Sequence, residues 1–158
     1  MDMSGRVVMV TGASSGIGAA VARYLEKLNA KVVLVGRDRD RLHAVAHDLR
    51  LETSVVEPFD LSRVHEIQSW LGGVVERVGP LAGLAHCAGV HLASPIRTLR
   101  LEDAEAVMRT NWLSAVALEQ AFRVKGRHET PSAMVFVSSA AAFRGEPSLA
   151  VYASSKGA

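Results

Sequence analysis

The sequence of 158 residues contains a single cysteine, Cys87, and only 5% aromatic residues. One cysteine excludes an internal disulfide bond, and nothing else in the sequence indicates an oxidising compartment. No apolar run reaches the roughly 18 residues that a membrane-spanning helix needs, and the N-terminus has no charged segment typical of a secretory signal. We therefore expect neither secretion nor membrane insertion, and we expect a cytoplasmic protein.

Blocks of like charge are also missing. The formal net charge is +2, and lysine and arginine alternate with aspartate and glutamate along the chain. Nucleic-acid-binding domains gather basic residues on one face, so this distribution does not favour such a partner. His43 and His47 have the spacing of a metal-binding pair, but no third ligand is evident. We therefore predict no metal site and interpret both histidines as part of a solvated helix face.

What the sequence does contain is a regular alternation of short apolar runs and longer amphipathic stretches. The short runs are rich in β-branched residues and predict five strands, at residues 6–10, 31–35, 53–56, 81–85 and 133–137. The longer stretches predict helices at residues 16–29, 39–50, 62–78 and 101–124, and the polar stretch 125–132 is predicted to be a surface loop. Strands that are apolar at nearly every position are expected in a parallel sheet with helices on both faces. The sequence therefore predicts a single α/β domain over residues 1–158, built on a doubly wound parallel sheet.

At the end of the first predicted strand the chain reads Thr11-Gly12-Ala13-Ser14-Ser15-Gly16-Ile17-Gly18, and a predicted helix begins inside this run. Gly12 permits a tight turn, Gly16 lets the backbone approach a pyrophosphate, and Gly18 lets the helix pack closely on the sheet. The N-terminus of the helix favours an anion, and the two serine hydroxyls are further donors. An ordinary glycine-containing loop is the alternative, but the strand-turn-helix context favours a dinucleotide-binding turn.

This run resembles the Thr-Gly-x-x-x-Gly-x-Gly motif of the short-chain dehydrogenase/reductase family, and Tyr152-Ala153-Ser154-Ser155-Lys156 resembles its Tyr-x-x-x-Lys pair. The resemblance implies a Rossmann fold and hydride transfer between a nicotinamide dinucleotide and a small carbonyl or alcohol substrate. Members of the family continue well beyond this pair, so the resemblance implies a chain truncated after the fifth strand. It also implies a homodimer or homotetramer for the intact protein. A non-catalytic module that binds a dinucleotide or a protein partner is the alternative function.

In this family the residue that ends the second strand chooses the cofactor, because a carboxylate there binds the ribose hydroxyls of NAD. The chain has Gly36 at this point, and the guanidinium of the following Arg37 can pair with a phosphate and stack on adenine. The resemblance therefore implies NADP. NAD is possible, because Asp38 reaches a ribose if the loop shifts and Ser15 stands where many NADP-preferring relatives carry a basic residue. A solvated charge within residues 37–41 is the alternative role for Arg37.

The resemblance also implies a contact with adenine after the third strand. Asp60 resembles the family aspartate that lies near the adenine amino group, and Leu61 would contribute its backbone. A second role for Asp60 is the N-cap of the helix predicted from residue 62 onward, and one residue can fill both roles.

The fourth predicted strand closes with His86-Cys87-Ala88-Gly89, where relatives usually read Asn-Asn-Ala-Gly. Ala88 and Gly89 keep the small residues that let the chain pass the cofactor ribose. Cys87 replaces an asparagine whose amide ties neighbouring strands together in the family. The resemblance therefore implies a weakened tie at this point, without loss of cofactor binding.

Tyr152 and Lys156 stand four residues apart, so they share one face of a helix. A free tyrosine titrates near pH 10, and a nearby ammonium stabilises the phenolate and lowers the pKa of the phenol. A pair of this kind suits proton transfer at neutral pH. A surface pair on a helix is the alternative.

Four residues resemble the catalytic set of the family: Asn111, Ser139, Tyr152 and Lys156. The resemblance implies that Tyr152 transfers the proton, Ser139 holds the substrate oxygen, and Asn111 bends its helix and holds a water of the proton relay. Lys156 would also bind the nicotinamide ribose. The spacing to Tyr152 favours Ser139 over Ser138, and a helix-interior residue bonded to backbone is the alternative for Asn111.

Overall fold

The computed structural model describes residues 2–48 and 54–158. Within them the strands are β1 (Val7–Thr11), β2 (Lys31–Gly36), β3 (Val55–Pro58), β4 (Leu81–His86) and β5 (His128–Phe136). The α-helices are α1 (Gly16–Lys27), α2 (Arg39–Asp48), α3 (Ile67–Val78), α4 (Leu101–Met108), α5 (Ser114–Phe122) and α6 (Ala150–Gly157). Every strand pairing is parallel, and the order across the sheet is β3-β2-β1-β4-β5. This order is that of a Rossmann fold.

Helices cover both faces of the sheet, as the strand pattern predicts. Successive strand residues point to opposite faces, so each central strand contributes to two cores. On one face the sheet packs against α3 and α5, through residues that include Met9, Val33, Leu71, Val74 and Leu118. On the other face it packs against α1 and α2, through residues that include Val10, Leu34, Ala19, Ala22 and Leu42. The predicted doubly wound α/β architecture is confirmed.

The predicted surface loop at residues 125–132 is wrong for its second half, because β5 begins at His128. His128 pairs with Leu81, and the register then shifts between Leu81 and Gly83. β5 lies at the edge of the described sheet, and an edge strand tolerates Pro131, which has no N–H to donate. Arg6 holds this polar segment, since its guanidinium donates to the carbonyl of Pro131 (3.1 Å) and pairs with Glu129 (3.0 Å).

Other predicted boundaries shift by a few residues. The helix predicted at 16–29 ends earlier because Asn29 takes a left-handed conformation (φ 64°), which commonly terminates helices. The helix predicted from residue 62 begins later, with a 3₁₀ turn at Val64–Glu66 followed by α3. Two predicted ends, at residues 49–50 of the second helix and at residue 53 of the third strand, lie outside the described residues.

The helix predicted at residues 101–124 is one helical run with a change of pitch in its middle. α4 passes into a π-helical turn at Arg109–Leu113, and α5 follows directly. A π turn accommodates one extra residue and reorients the side chains around it. Here it carries Asn111, which is buried, beside Trp112, which is exposed.

Over the described ranges, none of the helices combines the length and the apolar character that crossing a bilayer requires.

Candidate active site

The carboxyl ends of β1 and β4 lie side by side at the centre of the sheet, with Thr11 paired to His86. The chain reverses its direction of strand addition between these two strands, and ligands of open α/β sheets bind at such switch points. A cavity of about 340 Å³ opens here. Its lining brings together these residues singled out by the sequence: Gly12, Ser14, Ser15, Gly16, Ile17, Gly18, Arg37, Asp60, Leu61, Cys87, Ala88 and Gly89.

The glycine turn is packed too closely for side chains at two positions. Gly12 has a left-handed φ of 65°, and a Cβ on it would lie 2.8 Å from the Cα of Ala88. A Cβ on Gly18 would lie 2.2 Å from the carbonyl oxygen of Gly12. Ser15 precedes the first turn of α1, and its side chain does not cap the helix. The first N–H groups of α1 therefore remain available to an anion in the cavity.

Two arginines line the far end of the cavity, and the sequence analysis found only one of them. Arg37 lies between β2 and α2, and Arg41 lies in the first turn of α2, and both line the cavity. Asp38 caps this turn, since its Oδ1 accepts the backbone N–H of Arg41 at 3.0 Å. At the end of β2, a Cβ on Gly36 would lie 3.6 Å from the Ser14 hydroxyl.

Asp60 lines the cavity, but its proposed second role as a helix N-cap is wrong. Its Oδ1 accepts the backbone N–H of Ser62 at 3.0 Å, in a turn that precedes the helical residues. The lining also includes Gly36, the residue at the predicted cofactor-selecting position, and four residues that were not predicted from the sequence: Arg41, Phe59, Val90 and Thr110. Their positions in the lining depend on how the loops fold over the sheet, which cannot be predicted from the periodicity of the sequence.

Asn111 connects three segments around the cavity. Its Oδ1 accepts the backbone N–H of Val90 at 2.7 Å, and its Nδ2 donates to the carbonyl of Val90 at 2.9 Å. The same amide donates to the Ser155 hydroxyl at 2.9 Å, and Ser155 in turn donates to the carbonyl of Tyr152 at 2.8 Å. The backbone contacts expected for a helix-interior polar residue are thus present, but they join the π turn to other segments.

Tyr152 and Lys156 lie on α6, outside the cavity lining but next to it. The Lys156 ammonium donates to the carbonyl of Val137 at 2.9 Å, and a Cβ on Gly89 would lie 3.1 Å from its Nζ. Burial lowers the pKa of Lys156, and Cys87 partly opposes this effect. The ring of Tyr152 lies against that of His91, with 4.7 Å between the ring centroids.

Cys87 lines the cavity, and the pKa of its thiol is influenced by burial and by Lys156. Burial raises the pKa of Cys87, and the positive charge of Lys156 partly opposes the rise. The thiol therefore stays protonated at neutral pH and contributes a small, weakly polar surface to the cavity wall.

The two serines before α6 differ in the use of their hydroxyl protons. The Ser138 hydroxyl donates to the carbonyl of Lys156 at 2.6 Å. The Oγ of Ser139 instead accepts the backbone N–H of Ala141 at 3.2 Å. Within the described part of the chain, the Ser139 hydroxyl proton has no acceptor, so it is available to a substrate oxygen.

His86 is buried beneath the cavity at the end of β4, with 3% of its surface exposed. Its Nδ1 lies 2.8 Å from the Thr11 hydroxyl, and its Nε2 lies 3.4 Å from the Ser114 hydroxyl. The Thr11 oxygen also accepts the backbone N–H of Ala88 at 3.2 Å. Thr11 and His86 therefore connect β1 to β4 next to Cys87, which lacks the side-chain amide of the family asparagine.

The sequence has many relatives of one kind. A family model described as short chain dehydrogenase matches residues 6–158. An uncharacterized oxidoreductase of Staphylococcus haemolyticus is 37% identical over 110 residues, which are 70% of this chain and 48% of that protein. An 11-beta-hydroxysteroid dehydrogenase-like 2 protein of Arabidopsis thaliana is 32% identical over 161 residues, covering 99% of this chain and 52% of that protein. The chain thus spans about half the length of these two relatives.

Solved structures agree with the sequence relatives. A metagenomic short-chain oxidoreductase in complex with NADP is 32% identical, with a TM-score of 0.87 over 98% of this chain and 71% of that chain. A short-chain type dehydrogenase/reductase from Mycobacterium ulcerans is 26% identical, with a TM-score of 0.89 over 99% of this chain and 59% of that chain. Together with the glycine turn and the Tyr-x-x-x-Lys helix, these matches establish that the chain belongs to the short-chain dehydrogenase/reductase family.

Proposed function

We propose that the protein is an NADP-dependent oxidoreductase that acts on a carbonyl or secondary alcohol, with Tyr152 as its general acid and base. The observation that carries the proposal is the cavity at the ends of β1 and β4, which joins the glycine turn to two arginines and adjoins Lys156 through Gly89. The activity is proposed for the full-length protein, since the chain spans about half the length of its relatives.

The lining of the cavity fits a dinucleotide. The turn from Gly12 to Gly18 and the N-terminus of α1 would hold the pyrophosphate, because free N–H groups and the helix dipole both favour anions. The close approach of Gly12 to Ala88 leaves no room for a side chain at Gly12. Asp60 would contact the adenine, and Ala88 and Gly89 would lie along the nicotinamide ribose.

Three features of the far end favour NADP over NAD. Gly36 supplies no carboxylate for the ribose hydroxyls, and Asp38 already accepts the Arg41 N–H. Arg37 and Arg41 both line the cavity, and two guanidinium groups suit the charge of a 2′-phosphate. The metagenomic relative with the same fold was solved with NADP bound.

We assign proton transfer to a substrate oxygen to residues of α6 and of the loop before it. When bound, the nicotinamide donates or accepts the hydride. Tyr152 would give a proton to the oxygen of a carbonyl, or take it from an alcohol, and the available Ser139 hydroxyl would donate to the same oxygen. Lys156 follows Tyr152 by four residues on α6, and burial lowers the pKa of its ammonium, which makes it a stronger acid than an exposed lysine.

The test is NADPH oxidation by the full-length protein with a panel of ketones and aldehydes. We expect turnover with at least one substrate class, and a loss of about 10³-fold or more in kcat for Tyr152→Phe, within the range attributed to general acid-base groups. Tyr24→Phe is the matched control, because the other tyrosine of the chain is exposed on α1. Unchanged turnover in Tyr152→Phe refutes the mechanism, and NADP binding without turnover favours the non-catalytic alternative.

A further inference from the structure

The imidazole of His86 has partners on both of its nitrogens, and these partners belong to different elements. Thr11 ends β1 directly before the glycine turn, and Ser114 begins α5 directly after the π turn. The ring lies 2.8 Å from one hydroxyl and 3.4 Å from the other. The buried side chain of His86 therefore connects the glycine turn to the π turn, and both of these segments shape the cavity.

The hydroxyl groups fix the direction of each hydrogen bond. Ser114 donates its proton to the carbonyl of Thr110 at 2.6 Å, so its oxygen is free to accept from Nε2. Thr11 accepts the Ala88 N–H, so its own proton is free to be donated to Nδ1. A neutral imidazole has one donor and one acceptor. Only the tautomer with the proton on Nε2 gives a partner to every group in this series of hydrogen bonds.

We propose that His86 is a positioning residue of the cofactor site that, as the Nε2–H tautomer, holds the glycine turn and the π turn of Asn111 in register. The residues at the ends of the hydrogen-bond chain support this role. Ala88 and Thr110 line the cavity, as does Gly12 next to Thr11. A change in the imidazole contacts would therefore move three points of the cavity wall, although His86 makes no hydrogen bond to Tyr152 or Lys156 within the described residues.

A purely space-filling role makes different predictions. The ring of His86 also lies edge-on to that of Phe136, with 5.9 Å between centroids, so part of its contribution is packing. If packing were its whole role, an apolar side chain of similar size would serve equally well, and the tautomer would carry no consequence. The proposed role instead requires an acceptor toward Thr11 and a donor toward Ser114.

The first test uses the wild-type full-length protein labelled with ¹⁵N-histidine. Long-range ¹H–¹⁵N correlation spectra distinguish the two neutral tautomers, and a spectrum of His86→Asn assigns the signal. We expect a neutral His86 protonated on Nε2 at neutral pH. A predominant Nδ1–H tautomer, or an imidazolium, would overturn the proposal. This readout needs no cofactor, so it decides the proposal even if the protein proves not to bind NADP, which would refute the proposed function alone.

The second test compares the affinity for NADP⁺ of three variants. We expect His86→Leu to weaken binding about tenfold through the loss of two hydrogen bonds, and His86→Asn, which keeps a polar partner for Thr11, to recover most of that loss. Ser114→Ala, which removes one partner and leaves the imidazole, should weaken binding by a few-fold. Ser69→Ala is the matched control, because its hydroxyl also donates to a helix carbonyl but lies at an exposed position of α3. Wild-type affinity in both His86→Leu and Ser114→Ala would overturn the positioning role.

Discussion

The side chain of Asn111 donates a hydrogen bond of 2.9 Å to Ser155, and this contact joins the π turn to the helix that carries Tyr152 and Lys156. The same amide holds the backbone of Val90 at both its N–H and its carbonyl. One buried side chain thus sets the distance between the loop after β4 and the second turn of α6. The geometry of the proposed proton-transfer site depends on this contact as much as on the Tyr-x-x-x-Lys spacing.

The first prediction concerns this clamp. Asn111→Ala leaves the polar groups of Val90 and Ser155 without their partner, which should lower the free energy of unfolding by about 2 kcal/mol or more. It should also lower kcat, because Tyr152 loses its fixed position. Chemical denaturation and NADPH oxidation measure the two effects. Gln120→Ala removes an exposed amide from α5 and should change neither quantity by much. Full activity and stability in Asn111→Ala would show that the clamp is dispensable.

The second prediction concerns the two arginines of the cavity. Arg37→Ala and Arg41→Ala should each weaken NADP⁺ binding by about tenfold or more, because each removes a charged partner of the 2′-phosphate. Binding of NAD⁺, which lacks this phosphate, should change far less. Arg39→Ala is the matched control, since Arg39 is exposed between them and does not line the cavity. Equal effects of all three variants would reduce the role of Arg37 and Arg41 to general surface charge.

The third prediction concerns the packing of the glycine turn. The Cβ of Gly18→Ala would meet the Gly12 carbonyl at 2.2 Å, so the turn has to move away from α1. Overpacking of this kind typically costs about 1–3 kcal/mol of stability, and the displaced turn should bind NADP⁺ at least tenfold more weakly. Gly145→Ala places its Cβ in open space and serves as the control. Tight binding in Gly18→Ala would mean that the turn does not hold the pyrophosphate.

The fourth prediction concerns the pH dependence of stability. Burial, followed by the charge of Lys156, lowers the pKa of His86 to about 4 from an ordinary value of 6.5. The unfolded chain therefore takes up this proton first as the pH falls, and stability present above pH 6.5 is lost on the way to pH 4. The shift corresponds to on the order of 3 kcal/mol. The free energies of unfolding of the wild type and of His86→Asn should therefore approach each other by up to this amount as the pH falls. Parallel pH profiles of the two free energies would contradict a buried neutral imidazole at His86.

Much of the fold was predictable because the apolar periodicity of a doubly wound sheet is strong. β1, β2 and β4 are buried on both faces, so their sequences are apolar at nearly every position and can be recognised as strands. The first half of β5 was not predictable in this way. The segment from His128 to Ser132 is mostly polar, and it belongs to the sheet through the pairing of β5 with β4, with Arg6 bound to Glu129 and Pro131 within it.

The candidate site also has a part that was predictable from the sequence and a part that was not. The residues from Gly12 to Gly18 follow a strand-turn-helix pattern that is visible in the sequence, and all of them except the buried Ala13 line the cavity. Arg41 and the cap formed by Asp38 depend on where α2 begins, which a run of alternating charges does not reveal. The chain from Thr11 through His86 to Ser114 depends on the register of β1 and β4 and on a π turn, which helical periodicity does not distinguish from an ordinary helix.

The cavity at the ends of β1 and β4 is proposed to bind NADP in preference to NAD. Calorimetric titration of the full-length protein with NADP⁺ and with NAD⁺ compares the two affinities. We expect NADP⁺ to bind at least about tenfold more tightly, a difference of about 1.4 kcal/mol, and Arg37→Ala to abolish most of this preference. Equal or tighter binding of NAD⁺, unaffected by Arg37→Ala, would contradict it.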